Sequence, residues 1–211
     1  MHDLLLFDLD GTLTDPLVGI TRCINFALEA RGHEQRTSQD IARFIGPPID
    51  EAFRVLAETN DVSEIDVLVS RYRERYADIG YAENRLYPGV APALRSLASR
   101  NIAMAVCTSK RRDFAEKILK LFELDSHFRF IHGGDVGITK RDQIRELVSD
   151  GNVSTAAVMI GDRAVDVTAA HQNGLHAAGV LWGYGSRAEL TSTEPRYLFE
   201  MPGDLLQLGD G

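Results

Sequence analysis

MHDLLLFDLDGTL, residues 1–13, decides how the rest of this chain is read. The apolar run that ends at Phe7 is near-continuous rather than alternating, the pattern of a short parallel strand buried on both faces. It stops at Asp8. Two carboxylates, Asp8 and Asp10, then stand two residues apart and are followed by Gly11. Ligands of an open parallel sheet bind at the carboxyl ends of its strands. An acidic pair directly after such a strand is therefore placed for chemistry. Asp8 can attack phosphorus as a carboxylate nucleophile. Asp10 can protonate a leaving oxygen and afterwards deprotonate the incoming water. Gly11 leaves room for the chain to turn close to a ligand. A lone acidic pair with glycine also serves an ordinary β-turn, so the other strand ends matter.

Similar apolar runs recur at 102–107 (IAMAVC), 156–160 (AAVMI) and 175–180 (LHAAGV), with a weaker one at 128–131 (FRFI). Helical patterns lie between them: Ala91 to Arg100, Asp113 to Phe122, Lys140 to Val148 and Arg163 to Gln172. Strands alternating with helices imply right-handed crossovers and a doubly wound parallel α/β sheet. Residues 16–85 break the alternation. They hold only helical stretches: Pro16 to Ala30 (apolar Val18, Ile24, Phe26, Ala27 and Ala30), Ser38 to Ile45, Ile49 to Ala57 and Ile65 to Ile79. The expected organisation is a catalytic core of residues 1–15 and 86–211, with a small helical cap inserted at 16–85. From Ser186 onward the sequence reads as loops with one short helix.

Three further strand ends carry polar residues suited to the same reaction. Thr108 and Ser109 follow the second run, where a hydroxyl and free backbone N–H groups suit phosphate oxygens; such residues also simply cap helices. Lys140 opens a helix, and a lysine at a helix N-terminus makes an anion site able to neutralise both Asp8 and a phosphoryl group. Arg141 is a neighbouring cation. Gly161-Asp162-Arg163-Ala164-Val165-Asp166 follows the third run. Asp162 suits direct ligation of magnesium, which takes hard oxygen ligands and keeps several waters. Asp166 suits an outer position, orienting water or Lys140, and equally suits the first turn of a helix. Trp182 and Tyr184 read as packing residues.

Composition narrows the class. The chain has 211 residues, 44% hydrophobic and 26% charged, which is ordinary for a globular protein with a real core. A formal net charge of -8 argues against a nucleic-acid or anionic-membrane binder. It leaves room for a small phosphorylated metabolite, because local cations and a metal override the global sign. No apolar run approaches a membrane span, and no basic leader precedes the first strand. Cys23 and Cys107 show neither metal-ligand spacing nor a disulfide framework, so a cytoplasmic location is expected.

The set of DLDGT, a threonine after the second strand, a lysine and GDxxxD resembles the haloacid dehalogenase superfamily of phosphohydrolases. The likeness runs over almost the whole chain and is most specific at residues 5–15 and 158–167. TLTDPLVGIT (12–21), FIGPPIDEAF (44–53) and TKRDQI (139–144) resemble the phosphoglycolate phosphatase-like and 5′-nucleotidase-like branch. The resemblance implies a Rossmann-like core and a cap that closes over substrate. It implies Mg2+ held by Asp8, the backbone carbonyl of Asp10, and Asp162, with phosphate held by Thr108, the Ser109 backbone and Lys140. Ser109 stands where many relatives carry Asn. Arg22 and the Phe44–Ile49 loop are the candidates for choosing the leaving group.

Asp10 argues against a dehalogenase, since halide leaves without a proton. The absence of lysine from 16–85 argues against phosphonate cleavage. A phospho-accepting signalling module fits poorly with an insertion directly behind the first strand. Phosphoglycolate and a nucleoside monophosphate both suit the motifs. A phosphomutase, a phosphoprotein phosphatase and a pyrophosphatase remain open, as does the choice between monomer and homodimer.

Overall fold

The computed structural model describes residues 2–135 and 137–209. Met1, included above in the first strand, lies outside the described residues, as do Val136, Asp210 and Gly211. The chain divides into two compact units, Met1–Thr14 with Leu86–Gly211, and Asp15–Arg85.

The elements run in the order β1 (Leu5–Phe7), β2 (Thr14–Asp15), α1 (Leu17–Ala30), α2 (Ser38–Ala42), α3 (Ile49–Leu56), α4 (Val62–Asp78), β3 (Arg85–Leu86), α5 (Val90–Ser99), β4 (Met104–Arg111), α6 (Arg112–Leu121), β5 (Ile131–Gly134), α7 (Lys140–Ser149), β6 (Val158–Gly161), α8 (Ala164–Gln172), β7 (His176–Val180), α9 (Arg187–Thr191) and β8 (Tyr197–Phe199). In the larger unit six strands form one sheet in the order β5-β4-β1-β6-β7-β8. Every neighbouring pair is parallel. The chain moves outward from β1 to β4 and β5, then β6 returns to the opposite flank of β1. The order therefore reverses at β1, and the crevice beyond its carboxyl end is where such sheets bind ligands. This is the expected doubly wound α/β architecture.

Burial on both faces explains the near-continuous apolar strands. Leu6, Ala105, Cys107, Met159 and Ala177 share a buried cluster with Ile144 and Leu147 of α7 and Val167, Ala169 and Ala170 of α8. The alternate residues Leu5, Phe7, Val106, Val158 and Ile160 are fully buried as well. No helix among the described residues is long and apolar enough to cross a membrane.

Two strands differ from the sequence reading. β4 does not stop at Thr108 but continues to Arg111, and β5 covers Ile131–Gly134 rather than 128–131. The cause lies in one irregularity. Thr108 pairs with Gly133 and Arg111 with Gly134, so Ser109 and Lys110 are extra residues between successive partners. A Cβ on Gly134 would come within 2.7 Å of the Ser109 carbonyl oxygen, so the glycine that reads as a loop signal is what lets the bulge close. β8 lies in the stretch after Ser186 that was expected to hold loops and one helix, and it extends the sheet beside β7.

The smaller unit is helical, with its chain ends in β2 and β3, which pair as a two-stranded ribbon. The buried stripe of α1 is Ile20, Cys23, Ile24, Ala27 and Leu28, at the i, i+3, i+4, i+7, i+8 spacing of a core-facing helix. Phe26, assigned to the stripe from sequence, is exposed on the flank. α4 begins at Val62, three residues before the expected Ile65, because the Asp61 side chain caps it by accepting from the Ser63 N–H. Phe53 meets Tyr72 edge to face, and Tyr72 stacks on Tyr76, within this core.

Both cysteines are fully buried, and burial pushes the Cys107 thiol up to about 12. Since the thiolate is the reactive species, a thiol-specific reagent at mildly alkaline pH is expected to label neither cysteine in the native chain and both in denaturant. Rapid labelling of Cys107 in the folded protein, located by mass spectrometry, would show that β4 opens far more readily than a central strand should.

Candidate active site

The centre of the site is an ammonium group. Lys140 is the first residue of α7 and only 3% exposed. Its Nζ lies 2.9 Å from Asp8 Oδ1, 2.9 Å from Asp166 Oδ1 and 2.9 Å from the Cys107 carbonyl oxygen. Two of these contacts, to Asp8 and to the Cys107 carbonyl, are hydrogen bonds, and the one to Asp166 is an ion pair. Burial alone would lower the Lys140 pKa, but Asp166 and Asp8 outweigh it and hold the pKa above the usual lysine value. The lysine is therefore a fixed positive charge.

Asp8 follows β1 and continues its ladder, its N–H donating to the Ile160 carbonyl at 2.9 Å. The loop behind it folds tightly on Leu9, whose carbonyl oxygen accepts from the N–H groups of Thr12, Leu13 and Thr14. Gly11 adopts a positive φ of 87°, and a Cβ there would overlap the Asp162 carboxylate. Glycine is thus required twice, for the turn and for the approach of the carboxylate.

Asp162 lies just after β6 and is fully buried. Its Oδ2 accepts from the Tyr184 N–H at 2.8 Å and its Oδ1 from the Thr12 hydroxyl at 3.3 Å. Burial, then the charges of Asp166 and Asp8, raise its pKa well above the usual carboxylate range. Asp166 sits in the first turn of α8, where its Oδ2 accepts from the Arg163 N–H at 3.2 Å. Burial pushes its carboxyl up to about 6, against the pull of Lys140. Carboxylate oxygens of Asp8, Asp162 and Asp166 all lie within 4.8 Å of one another.

Three carboxylates face one ammonium, so with all three ionised two negative charges would be left uncompensated (3 − 1 = 2). Uncompensated buried charge is costly, and a divalent cation would balance it. The donors are hard oxygens, the chemistry magnesium takes. The residues fit the ion.

Thr108 is buried on β4 beside this cluster, and Gln143 of α7 donates to its carbonyl oxygen at 2.9 Å. Ser109 is part-buried in the bulge. Asp10 is largely buried, and burial raises its pKa, opposed by Lys110, whose Nζ is 2.6 Å from Asp10 Oδ2. All the core candidates read from sequence, Asp8, Asp10, Thr108, Ser109, Lys140, Asp162 and Asp166, thus gather in the larger unit at the carboxyl ends of β1, β4 and β6. Arg141 is exposed. Arg22 belongs to the other unit, on α1, and its guanidinium bonds Glu83 at 2.6 Å, a carboxylate that Arg75 also holds.

Sequence reasoning missed several supporting contacts. Lys110 received no role from the sequence, where its one signal is its place two residues after Thr108. Thr12 and Gln143 gave no signal apart from the fold. Trp182, read as packing, also donates its indole N–H to the Thr12 carbonyl at 2.8 Å and so braces the loop that carries Asp8.

Comparison with known proteins identifies the family. The chain matches the haloacid dehalogenase-like hydrolases over residues 5–180. It is 38% identical over 197 residues to a 5′-nucleotidase of Pseudomonas aeruginosa, a match covering 92% of this chain and 89% of that one. It is 32% identical over 206 residues to a phosphoglycolate phosphatase of Synechococcus elongatus, covering 96% and 95%. The solved structure of Protein Tyrosine Kinase A (PtkA) from Mycobacterium tuberculosis superposes with a TM-score of 0.84 at 31% identity, covering 100% and 98%. The chain belongs to the haloacid dehalogenase-like hydrolase family and is a phosphatase of its phosphoglycolate phosphatase-like and 5′-nucleotidase-like kind.

Proposed function

We propose that the chain is a magnesium-dependent phosphatase that hydrolyses a small phosphate monoester through an aspartyl-phosphate on Asp8. The observation that carries this reading is the buried cluster of Asp8, Asp162 and Asp166 around Lys140, with Asp10 two residues from the nucleophile. Lys140 holds Asp8 Oδ1, which leaves Oδ2 to attack phosphorus. A phosphate dianion approaching a carboxylate is repelled in a low-dielectric cleft, and the Lys140 ammonium reduces that repulsion. Asp8, Asp162 and the backbone carbonyl of Asp10 would hold Mg2+, which supplies further positive charge to the phosphoryl oxygens. Thr108 and the Ser109 backbone bind those oxygens. Asp10 gives its proton to the leaving oxygen as the P–O bond breaks. It then takes a proton from the water that releases phosphate from Asp8. Asp166 keeps Lys140 in place.

The helical unit Asp15–Arg85 is the cap that chooses the leaving group, with Arg22 and the Phe44–Ile49 loop as its selective elements. The substrate is a small phosphorylated metabolite of phosphoglycolate or nucleoside monophosphate type, as the names of the Synechococcus and Pseudomonas relatives suggest.

Phosphate release from a panel of phosphoglycolate, nucleoside monophosphates, sugar phosphates, pyrophosphate and a phosphotyrosine peptide tests this reading. Release is expected to need magnesium and to vanish with chelator. Asp8→Asn should lower it by at least about a thousandfold, the scale seen when a group acting in the transition state is removed. Transfer of phosphate between sugar positions without release would assign a mutase instead. Labelling of tyrosine from ATP would assign the activity for which PtkA is named.

Arg22→Ala should change the ratio of kcat/KM values across the panel while leaving magnesium dependence intact; an unchanged ratio removes Arg22 from substrate selection. Lys140→Met should destabilise the fold by about 3 kcal/mol in urea denaturation without metal, because buried carboxylates lose their counter-charge. A change below about 0.5 kcal/mol would mean that the lysine is dispensable to the cluster.

A further inference from the structure

Asp10 and Lys110 form a pair that the proposed chemistry leaves unused. Lys110 Nζ is 2.6 Å from Asp10 Oδ2, with the two side chains only 7% and 12% exposed. The second carboxylate oxygen, Asp10 Oδ1, is buried and has no hydrogen-bond partner among the described residues. Buried polar atoms are almost always satisfied, so an orphan oxygen beside a phosphoryl-transfer site marks a place where a partner arrives. The pair is also built in. The two-residue bulge between Thr108 and Arg111 carries Lys110, and the Lys110 N–H donates to the Thr108 hydroxyl at 3.3 Å. Gly134 admits the bulge, since a Cβ there would meet the Ser109 carbonyl oxygen at 2.7 Å.

We infer that Lys110 is a positioning residue that clamps Asp10 Oδ2 and thereby makes Oδ1 the oxygen that exchanges the proton with the leaving group. The reasoning is one of hydrogen-bond direction. An ammonium only donates, and the carbonyl oxygen of a carboxylic acid is a much better acceptor than its hydroxyl oxygen, so the oxygen it binds is the unprotonated one. A carboxylic acid carries its single proton on the other oxygen. With Oδ2 held, the acid form of Asp10 bears its proton on Oδ1. As Asp8 Oδ2 bonds phosphorus and the ester P–O bond breaks, the electron pair of that bond stays on the leaving oxygen. The Oδ1 proton moves to it, and Asp10 is left as a carboxylate still bound by Lys110. Lys110 touches neither the phosphoryl group nor the reacting oxygen in this scheme and acts only through Asp10. The inference rests on the phosphatase reading above.

The test compares Lys110→Met and Lys110→Arg with the native chain on two phosphate monoesters. One is the best alkyl ester of the panel. The other is p-nitrophenyl phosphate, whose leaving group departs without a proton. The measured quantity is kcat/KM, which reports the steps through formation of the aspartyl-phosphate. General acid assistance is worth roughly a hundredfold or more. Lys110→Met should therefore lose about a hundredfold on the alkyl ester and less than about tenfold on the aryl one, and Lys110→Arg should recover part of the alkyl loss. Adding Lys110→Met to Asp10→Asn should cost less than about threefold further on the alkyl ester, since the lysine then has nothing to position. Circular dichroism and a thermal melt establish that each variant is folded, with Lys110→Gln taking the place of Lys110→Met if the latter does not fold. Equal losses on both esters in a folded variant, or full additivity with Asp10→Asn, would overturn the positioning role and leave the phosphatase reading standing. A native chain that releases no phosphate from either ester would overturn that reading, and this one with it.

Discussion

Everything at this site is arranged around the three contacts of the Lys140 ammonium, two hydrogen bonds and an ion pair. They tie the end of β1 through Asp8, the end of β4 through the Cys107 carbonyl, and the start of α8 through Asp166. Each of these groups needs the lysine for a different reason. Asp8 and Asp166 are buried carboxylates, and buried charge is costly without a counter-charge. The Cys107 carbonyl stands next to a bulge that interrupts its strand's regular pairing. One buried cation thus satisfies both an electrostatic and a backbone requirement, and the elements it joins are those that the sheet order brings to the switch point. The cost of burying Lys140 is offset by two hydrogen bonds and by the two carboxylates that pair with it.

A second level of order lies behind the carboxylates. Thr12 and the Tyr184 N–H hold Asp162, Trp182 holds the Thr12 carbonyl, and Gln143 holds the Thr108 carbonyl. None of these side chains has titrating chemistry to offer. Their effect is to remove freedom from the groups that have it, because misplacement of a reacting group by about 1 Å can cost on the order of a hundredfold in rate. The chain from Leu181 to Gly185 matters for this reason, although it lies far in sequence from Asp8.

The sheet, its parallel sense and the residues gathered around Lys140 were legible in the sequence because each rests on a local signal. Buried parallel strands are apolar throughout, and acids or hydroxyls directly after them are conspicuous. What was not legible depends on pairing partners. The extension of β4 through Ser109, Lys110 and Arg111 is polar and reads as a loop. It is a strand only because Gly133 and Gly134 come alongside. Those glycines carry no strand signal of their own, and the run at 128–131 drew the expected strand away from Ile131–Gly134. The same holds for Phe26 on α1: its residue type favours the core, and only the position of the neighbouring helices puts Ile20, Cys23 and Leu28 inside instead. Local propensity yields to tertiary context where a segment's partners, rather than its own pattern, decide its burial.

The two lysines of the site differ in a way that fits their partners. Lys140 faces two carboxylates and a carbonyl of the protein framework. Lys110 sits on a bulge and holds one oxygen of one carboxylate, leaving the other oxygen of that group unbonded. A cation shared among several acids lowers the repulsion that an incoming phosphate meets. A cation placed against one oxygen of an acid distinguishes the two oxygens of that acid from each other. A nucleophile benefits from the first kind of neighbour, since it must tolerate an anion beside it. An acid/base group benefits from the second, since it must hand over a proton in one direction. The β4 bulge supplies the second kind without disturbing the strand register that fixes the first.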